Sequence, residues 1–129
     1  MPRIILIDDD ARFISVVAEA LRPYAKLHVD TARSAEQGLR LIANLDYDVI
    51  VSDFRMPGLN GLDLLQECKQ LRPTTPVILL TGYGNAPLRD DAYRLGAYAI
   101  LPKPIDVDAF YVTLLSAARR SDLIRRGGG

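Results

Sequence analysis

The sequence is poor in residues on which several classes of protein depend. It has one cysteine, one histidine and no tryptophan among 129 residues, and its 16 Lys and Arg are matched by 16 Asp and Glu. A single cysteine excludes a disulfide framework and a cysteine-rich zinc site. The zero formal net charge argues against binding to nucleic acid or to a membrane surface through bulk charge, because such binding needs a basic excess.

Long apolar runs are also missing. No run approaches the ~20 residues that a membrane-spanning helix requires, and the first apolar run, at residues 4–7, is too short for a secretory signal peptide. The motifs GxGxxG, GxxxxGK[ST] and HExxH, typical of nucleotide-binding proteins and zinc proteases, are absent. We therefore expect an intracellular, cytoplasmic protein.

What is present is an alternation of short apolar runs with longer stretches of helical periodicity. The short runs lie at residues 4–7, 49–51, 77–80 and 98–101, and Leu27 and Val29 indicate a further short strand. In the first helical stretch one face is shared by Phe13, Val17, Ala20, Leu21 and Tyr24. Runs that are apolar throughout are typical of parallel strands covered on both faces. The sequence therefore predicts an α/β fold of the flavodoxin-like (βα)5 type, a doubly wound five-stranded parallel sheet with strand order 2-1-3-4-5.

The charges are not evenly spread along the chain. Residues 119–129 carry four arginines and one aspartate and end in three glycines, whereas residues 1–118 have an acidic excess. Apolar periodicity stops at Ile124. We therefore predict one domain over residues 1–120, followed by a basic, glycine-ended tail or linker over residues 121–129.

Polar side chains end four of the predicted strands. Asp8 and Asp9 follow the first strand, Asp53 the third, Thr81 the fourth and Lys103 the fifth. Because ligands of such sheets bind beyond the carboxyl ends of the strands, these side chains are predicted to converge. Clustered carboxylates repel unless a cation joins them, and Mg2+ prefers oxygen ligands and keeps positions open for phosphate. Lys103 and Thr81 could bind the oxygens of a phosphoryl group, with a carboxylate as nucleophile.

Four segments resemble the receiver domain of two-component response regulators, in the order and spacing of that family. They are IILIDDD at residues 4–10, YDVIVSDFRMPGLNGLDLL at 47–65, PVILLTGYG at 76–84 and AILPKP at 99–104. The second and third segments are most similar to receivers of the nitrogen-regulation type. The resemblance covers residues 3–120 and implies a phosphoprotein of a phosphorelay, a regulatory phosphoacceptor domain rather than an enzyme.

The resemblance also implies a role for each strand-end residue. Asp53 would accept the phosphoryl group in a Mg2+-dependent reaction. The carboxylates of Asp9 and Asp53 would bind the ion directly, and Asp8 would bind it mostly through water. The backbone carbonyl of Arg55 would be a further ligand. Thr81 would be the switch hydroxyl and Lys103 the charge partner of the phosphoryl group. Pro104 follows this lysine and commonly has a cis peptide bond in the family.

The partners implied by the resemblance are proteins that give or receive the signal. The phosphoryl group would come from a sensor histidine kinase or a phosphotransfer protein, and the output domain would be fused or separate. The resemblance allows a homodimer on phosphorylation. It implies neither direct nucleic-acid binding by this domain nor contact with a membrane.

One position departs from the family pattern. Receivers usually have an aromatic residue three positions before the lysine of the last strand, and this chain has Ile100 there. Tyr98 lies two residues earlier and is predicted on the same face of the strand. The usual coupling between Thr81 and an aromatic side chain therefore does not follow from this sequence.

Two other functions fit parts of the sequence. An apolar run followed by Asp8, Asp9 and Asp10 is also typical of haloacid dehalogenase-like phosphatases, in which Asp8 would be the nucleophile. The short chain and the lack of a cap domain count against that function. The other alternative is a phosphate-independent dimerisation or docking receiver. The presence of Asp53, Thr81 and Lys103 argues against it.

Overall fold

The computed structural model describes residues 1–24, 26–56, 58, 60–82 and 86–127. Strands and helices alternate along the chain as β1 (Arg3–Ile7), α1 (Ala11–Leu21), β2 (His28–Ala32), α2 (Ala35–Asn44), β3 (Val49–Asp53), α3 (Gly61–Leu71), β4 (Val77–Thr81), α4 (Ala86–Arg94), β5 (Ala99–Pro102) and α5 (Val107–Gly127). The predicted alternation of strands and helices is therefore confirmed.

The strands form one parallel sheet in the order β2-β1-β3-β4-β5. Its register places Ile7 beside Ser52, and Asp53 beside Leu80. All residues of the central strand β3 are buried. The flavodoxin-like topology is confirmed, and the carboxyl ends of β1 and β3 lie side by side at one edge.

Apolar side chains cover both faces of the sheet. Along β1 they alternate, so that Ile5 and Ile7 pack on the face that carries α2, α3 and α4. Ile4 and Leu6 pack on the face that carries α1 and α5. Cys68 belongs to the first face, where burial raises the pKa of its thiol to about 12. The helices on both sides explain why the strands are apolar throughout.

Two local contacts fix the chain around the carboxyl edge of the sheet. Asp10 caps α1, because its Oδ1 accepts hydrogen bonds from the backbone N–H of Arg12 at 3.0 Å and of Phe13 at 3.2 Å. Gly61 begins α3 and donates its N–H to the Phe54 carbonyl at 2.9 Å. A Cβ at Gly61 would lie 2.8 Å from that same oxygen. Only glycine fits this approach of α3 to the residue that follows Asp53.

Helix α5 extends beyond residue 120, where the predicted domain ends. It continues past residue 120 to Gly127, and Ser121 is buried. No glycine or proline interrupts residues 107–126, so the sequence contains no helix stop before Gly127. Residues 128–129 lie outside the described residues, and the division between domain and linker at residue 120 stays a prediction. Neither α5 nor another described helix combines the length and the apolar composition that a membrane span needs.

Candidate functional site

The carboxyl ends of β1 and β3 bring three carboxylates together. One carboxylate oxygen from each of Asp8, Asp9 and Asp53 lies within 4.8 Å of the others. Asp53 is the last residue of β3, and Asp8 follows β1 directly. Because β1 and β3 are hydrogen-bonded neighbours, their ends present these side chains to the same space. We call these three residues the acidic cluster.

Lys103, which follows β5, reaches into the acidic cluster. Its Nζ lies 3.0 Å from Asp8 Oδ2 and 3.1 Å from Asp53 Oδ1. Burial lowers the pKa of this ammonium, but the bonds to Asp8 and Asp53 outweigh burial and raise the pKa above its ordinary value. Lys103 is therefore charged, and it uses two of its three N–H groups on carboxylates.

The carboxylates that contact Lys103 differ in their access to solvent. The side chain of Asp8 is fully buried, whereas that of Asp53 is 12% exposed. Both oxygens of Asp8 accept hydrogen bonds. Oδ1 accepts one from the backbone N–H of Asp10 at 2.9 Å, and Oδ2 accepts one from the ammonium of Lys103. Burial raises the pKa of Asp8, and these hydrogen bonds only partly oppose the effect. Of the two, Asp53 is the one that an incoming group can reach.

The oxygens of the acidic cluster fit a hard divalent cation. Octahedral Mg2+ places neighbouring ligand oxygens about 2.9 Å apart and opposite ones about 4.1 Å apart. Oxygens already within 4.8 Å of one another therefore need little movement to bind it. Three ionised carboxylates beside one ammonium also leave two negative charges, which a divalent cation balances. The residues present are thus able to hold such an ion.

Thr81 and Arg55 lie at the same edge of the sheet. Thr81 ends β4, one residue beyond Leu80, which pairs with Asp53 in the sheet register. Its side chain is partly buried. Arg55 follows Asp53 by two residues, and its side chain is exposed. The placement agrees with the predicted convergence, while the roles assigned to both residues stay predictions.

Phe13 is a site residue that the sequence analysis did not identify. The periodicity placed it on the inner face of α1, but the residues buried there are Ile14, Val17 and Leu21. Phe13 is only half-buried, and the Lys103 ammonium lies 4.1 Å from the centroid of its ring. Such a cation–π contact helps to hold the ammonium in place. The signal in the sequence was the position of Phe13 in the first turn of α1, next to the strand ends.

An apolar groove borders the acidic cluster on the side of α1. It lies between α1 and residues 103–110, and it has a volume of about 610 Å³. Phe13 and Lys103 form its end nearest the cluster, and Val16 lines it with 61% of its surface exposed. The Lys103–Pro104 peptide bond beside the groove is cis, as the resemblance implied. Exposed apolar surface therefore lies next to Asp53.

The prediction that Tyr98 and Ile100 lie on the same face of the last strand is wrong. Ile100 is 4% exposed and packs on the face of α2, α3 and α4, where it lines a small cavity together with Thr81. Tyr98 packs towards α5 instead, with its hydroxyl 2.6 Å from Ser116 Oγ. The reason is that β5 begins at Ala99, so the alternation of a strand does not extend to Tyr98. An aliphatic side chain thus occupies the position beside Thr81.

Comparison with known proteins identifies the family of this chain and finds solved structures with the same fold. Residues 4–114 match the response regulator receiver domain. Over 80% of the length of this chain, the sequence is 39% identical to the DNA-binding transcriptional regulator NtrC of Escherichia coli (strain K12). It is 40% identical, over 96% of its length, to the C4-dicarboxylate transport transcriptional regulatory protein DctD of Pseudomonas aeruginosa. The resemblance to the nitrogen-regulation type is thereby confirmed.

A solved structure and the lengths of the relatives complete the comparison. A response regulator receiver domain from Clostridium thermocellum has a TM-score of 0.89 and 32% identity, with 96% of this chain and 99% of that one covered. The alignments cover only 22% of NtrC and 26% of DctD. The chain thus corresponds to about a quarter of these two regulators.

Proposed function

The chain belongs to the response regulator receiver domain family, and we propose that Asp53 is its phosphoacceptor. The observation that carries this assignment is the contrast between the two carboxylates bound by Lys103. Asp53 is reachable from solvent, whereas Asp8 is enclosed with both oxygens bonded. A nucleophile must reach the phosphorus atom of its donor, so the geometry favours Asp53.

In the proposed reaction an oxygen of Asp53 attacks the phosphorus atom of a phosphohistidine. A P–O bond forms to Asp53 while the P–N bond breaks, and the electron pair of that bond stays on the imidazole nitrogen. Lys103 donates its third N–H to a phosphoryl oxygen, and the Thr81 hydroxyl donates to another. The residues thus bind the charge that arrives with the phosphoryl group, and the chain acts only on its own side chain.

We propose Mg2+ as the cation of the acidic cluster, because its donor atoms are all oxygens and its charge excess is two. Asp8, Asp9 and Asp53 would hold the ion, with the backbone carbonyl of Arg55 as a further ligand. When bound, Mg2+ offsets the negative charge of the carboxylates and of the phosphoryl oxygens. Asp8 would keep its contact with Lys103, which links the ammonium to the metal ligands.

The proposed consequence of phosphorylation is a switch between two arrangements of the surface around Thr81. The phosphoryl group adds about two negative charges and new acceptor oxygens at the end of β3. Movement of Thr81 towards these oxygens would carry the backbone after it. Ile100, packed beside Thr81, would respond by repacking rather than by the rotation of an aromatic ring.

The proposed partners follow from the family and from the apolar groove. The phosphodonor would be a sensor histidine kinase or a phosphotransfer protein in the cytoplasm. Its imidazole has to approach Asp53, so its surface would cover the groove beside Lys103. NtrC and DctD are named as transcriptional regulators, and we propose that this domain likewise controls an output domain, fused or separate. A homodimer formed on phosphorylation is part of this proposal.

The direct test is phosphorylation by a small donor with and without metal. Acetyl phosphate with Mg2+ is expected to phosphorylate Asp53, and removal of Mg2+ by EDTA is expected to slow the reaction by about a hundredfold, because several kcal/mol of charge stabilisation is lost. Mass mapping of the label identifies the acceptor. A label on Asp8 would support the phosphatase alternative. A folded chain that takes no label would support the phosphate-independent docking module.

The groove gives a second prediction, which concerns the donor protein. Val16→Asp is expected to slow transfer from a phosphotransfer protein by about tenfold, because the charge is desolvated when the donor covers the groove. Phosphorylation by acetyl phosphate should stay unchanged, since this donor needs no groove. The matched control is Val112→Asp, at a valine of α5 that is 63% exposed and outside the groove. Equal slowing with both donors, or by both variants, would contradict the assignment of the groove.

A further inference from the structure

A second concave site lies at the amino-terminal edge of the sheet, opposite the acidic cluster. It is formed by the loop before β4, the loop before β5 and the distal part of α5, and its volume is about 340 Å³. Apolar walls are provided by Pro76, Ala97 and Ile124, and an aromatic wall by Tyr98. We call this site the distal pocket. Its volume lies at the lower end of the range of small-molecule sites.

Among the described residues that line the distal pocket are two cations and no carboxylate. They are Lys69 from α3 and Arg120 from α5. Within the described ranges of the chain neither side chain forms an ion pair with a carboxylate. Lys69 is half-buried, and burial together with the charge of Arg120 lowers the pKa of its ammonium. The pocket therefore holds positive charge that no acidic side chain in the described part of the chain balances.

The donors of these cations are only partly used. Lys69 Nζ donates to the carbonyl of Thr75 at 3.0 Å and, more weakly, to that of Pro73 at 3.4 Å, so one of its three N–H groups is left over. The guanidinium of Arg120 lies 5.6 Å from the centroid of the Tyr98 ring. The hydroxyl of that ring is held by Ser116 at 2.6 Å, which fixes the orientation of the aromatic wall.

We propose that the distal pocket binds a small organic anion, a phosphate or carboxylate carried on a flat apolar body. The anionic group would accept hydrogen bonds from Arg120 and from the remaining N–H of Lys69. The body would pack on Tyr98 and Ile124. Such a ligand would connect the distal part of α5 to the loops before β4 and β5. This site is separate from the phosphoacceptor, so it adds a second input to the same domain.

The test uses phenyl phosphate as probe and records backbone amide shifts of the whole chain by NMR. Saturable shifts are expected at Gly96 and Ala97, at the pocket, and in residues 117–124 of α5. Arg120→Gln is expected to weaken binding by about fivefold or more, because it removes a charged donor. The matched control, Arg119→Gln, changes an exposed neighbour that lines a different cavity, and it should alter binding by less than about twofold.

Several results would overturn the proposal. Shifts confined to Gly82 and Lys103 would place the probe at the acidic cluster instead. Equal weakening by Arg119→Gln and Arg120→Gln would show a nonspecific effect of charge. Inorganic phosphate binding as tightly as phenyl phosphate would remove the role of the apolar walls. Binding of phenyl phosphate to the Asp53→Asn variant is expected to equal that of the wild type, which separates this site from the proposed phosphoacceptor.

Discussion

Replacing Asp53 with asparagine is expected to abolish phosphorylation of the chain. An amide nitrogen or oxygen is a far weaker nucleophile than a carboxylate, and the neutral side chain no longer pairs with the ammonium of Lys103. Intact mass spectrometry after incubation with acetyl phosphate and Mg2+ should show the gain of about 80 Da of one phosphoryl group in the wild type and no gain in the variant. The rate is expected to fall by at least about a thousandfold.

The matched control for this prediction is Asp90→Asn, which makes the same change at an exposed residue of α4. It should be phosphorylated at the wild-type rate. An Asp53→Asn variant that still gains the phosphoryl mass at that rate would remove Asp53 as the acceptor. In that case the modified peptide would show whether Asp8 or Asp9 carries the group. Circular dichroism of each variant checks that the loss is chemical and not a failure to fold.

Replacing Lys103 with methionine is expected to lower the free energy of unfolding by about 3 kcal/mol at neutral pH without Mg2+. The ammonium lies 3.0 Å from the carboxylate of Asp8 and 3.1 Å from that of Asp53. Its removal leaves two buried negative charges without a positively charged partner. The methionine side chain conserves most of the volume beside Phe13, so the loss reports charge rather than packing. Urea unfolding followed by circular dichroism measures the difference.

Two further variants make the interpretation of Lys103→Met specific. Lys26→Met changes an exposed lysine away from the acidic cluster and should shift the unfolding free energy by less than about 0.5 kcal/mol. Adding Asp8→Asn to Lys103→Met removes the fully buried charge, and it is expected to recover about half of the loss. Unfolding of Lys103→Met at the wild-type urea concentration would show that the ion pairs do not stabilise the domain.

The sheet and the convergence of its strand-end residues could be predicted because they depend on patterns within single strands. A continuous apolar run such as residues 77–80 identifies a strand covered on both faces, and the polar residue after it marks the carboxyl end. Parallel strands place these ends at one edge whatever the details of packing. The sequence pattern alone therefore assigns Asp8, Asp53 and Lys103 to one region.

Features that depend on the rotation of an element could not be predicted in this way. Phe13 and Ile14 are both apolar, and the periodicity of α1 does not decide which of them turns inward; the structure buries Ile14 and leaves Phe13 over Lys103. The side on which Tyr98 lies depends on where β5 begins, and strand boundaries are the weakest part of a sequence pattern. The assignment of Ile100 to the core beside Thr81 needed the three-dimensional structure.

The burial of β3 has a consequence for the speed of the proposed reaction. Asp53 ends a strand whose residues are all buried and which lies between two other strands, so the backbone that carries the acceptor has almost no freedom to lose. Bringing reactants into alignment accounts for a large part of many activation barriers, and here one partner is aligned by folding itself. Differences in rate among phosphodonors should therefore reflect how each donor approaches Asp53 and orients its phosphoryl group, because the backbone of Asp53 is already held in place.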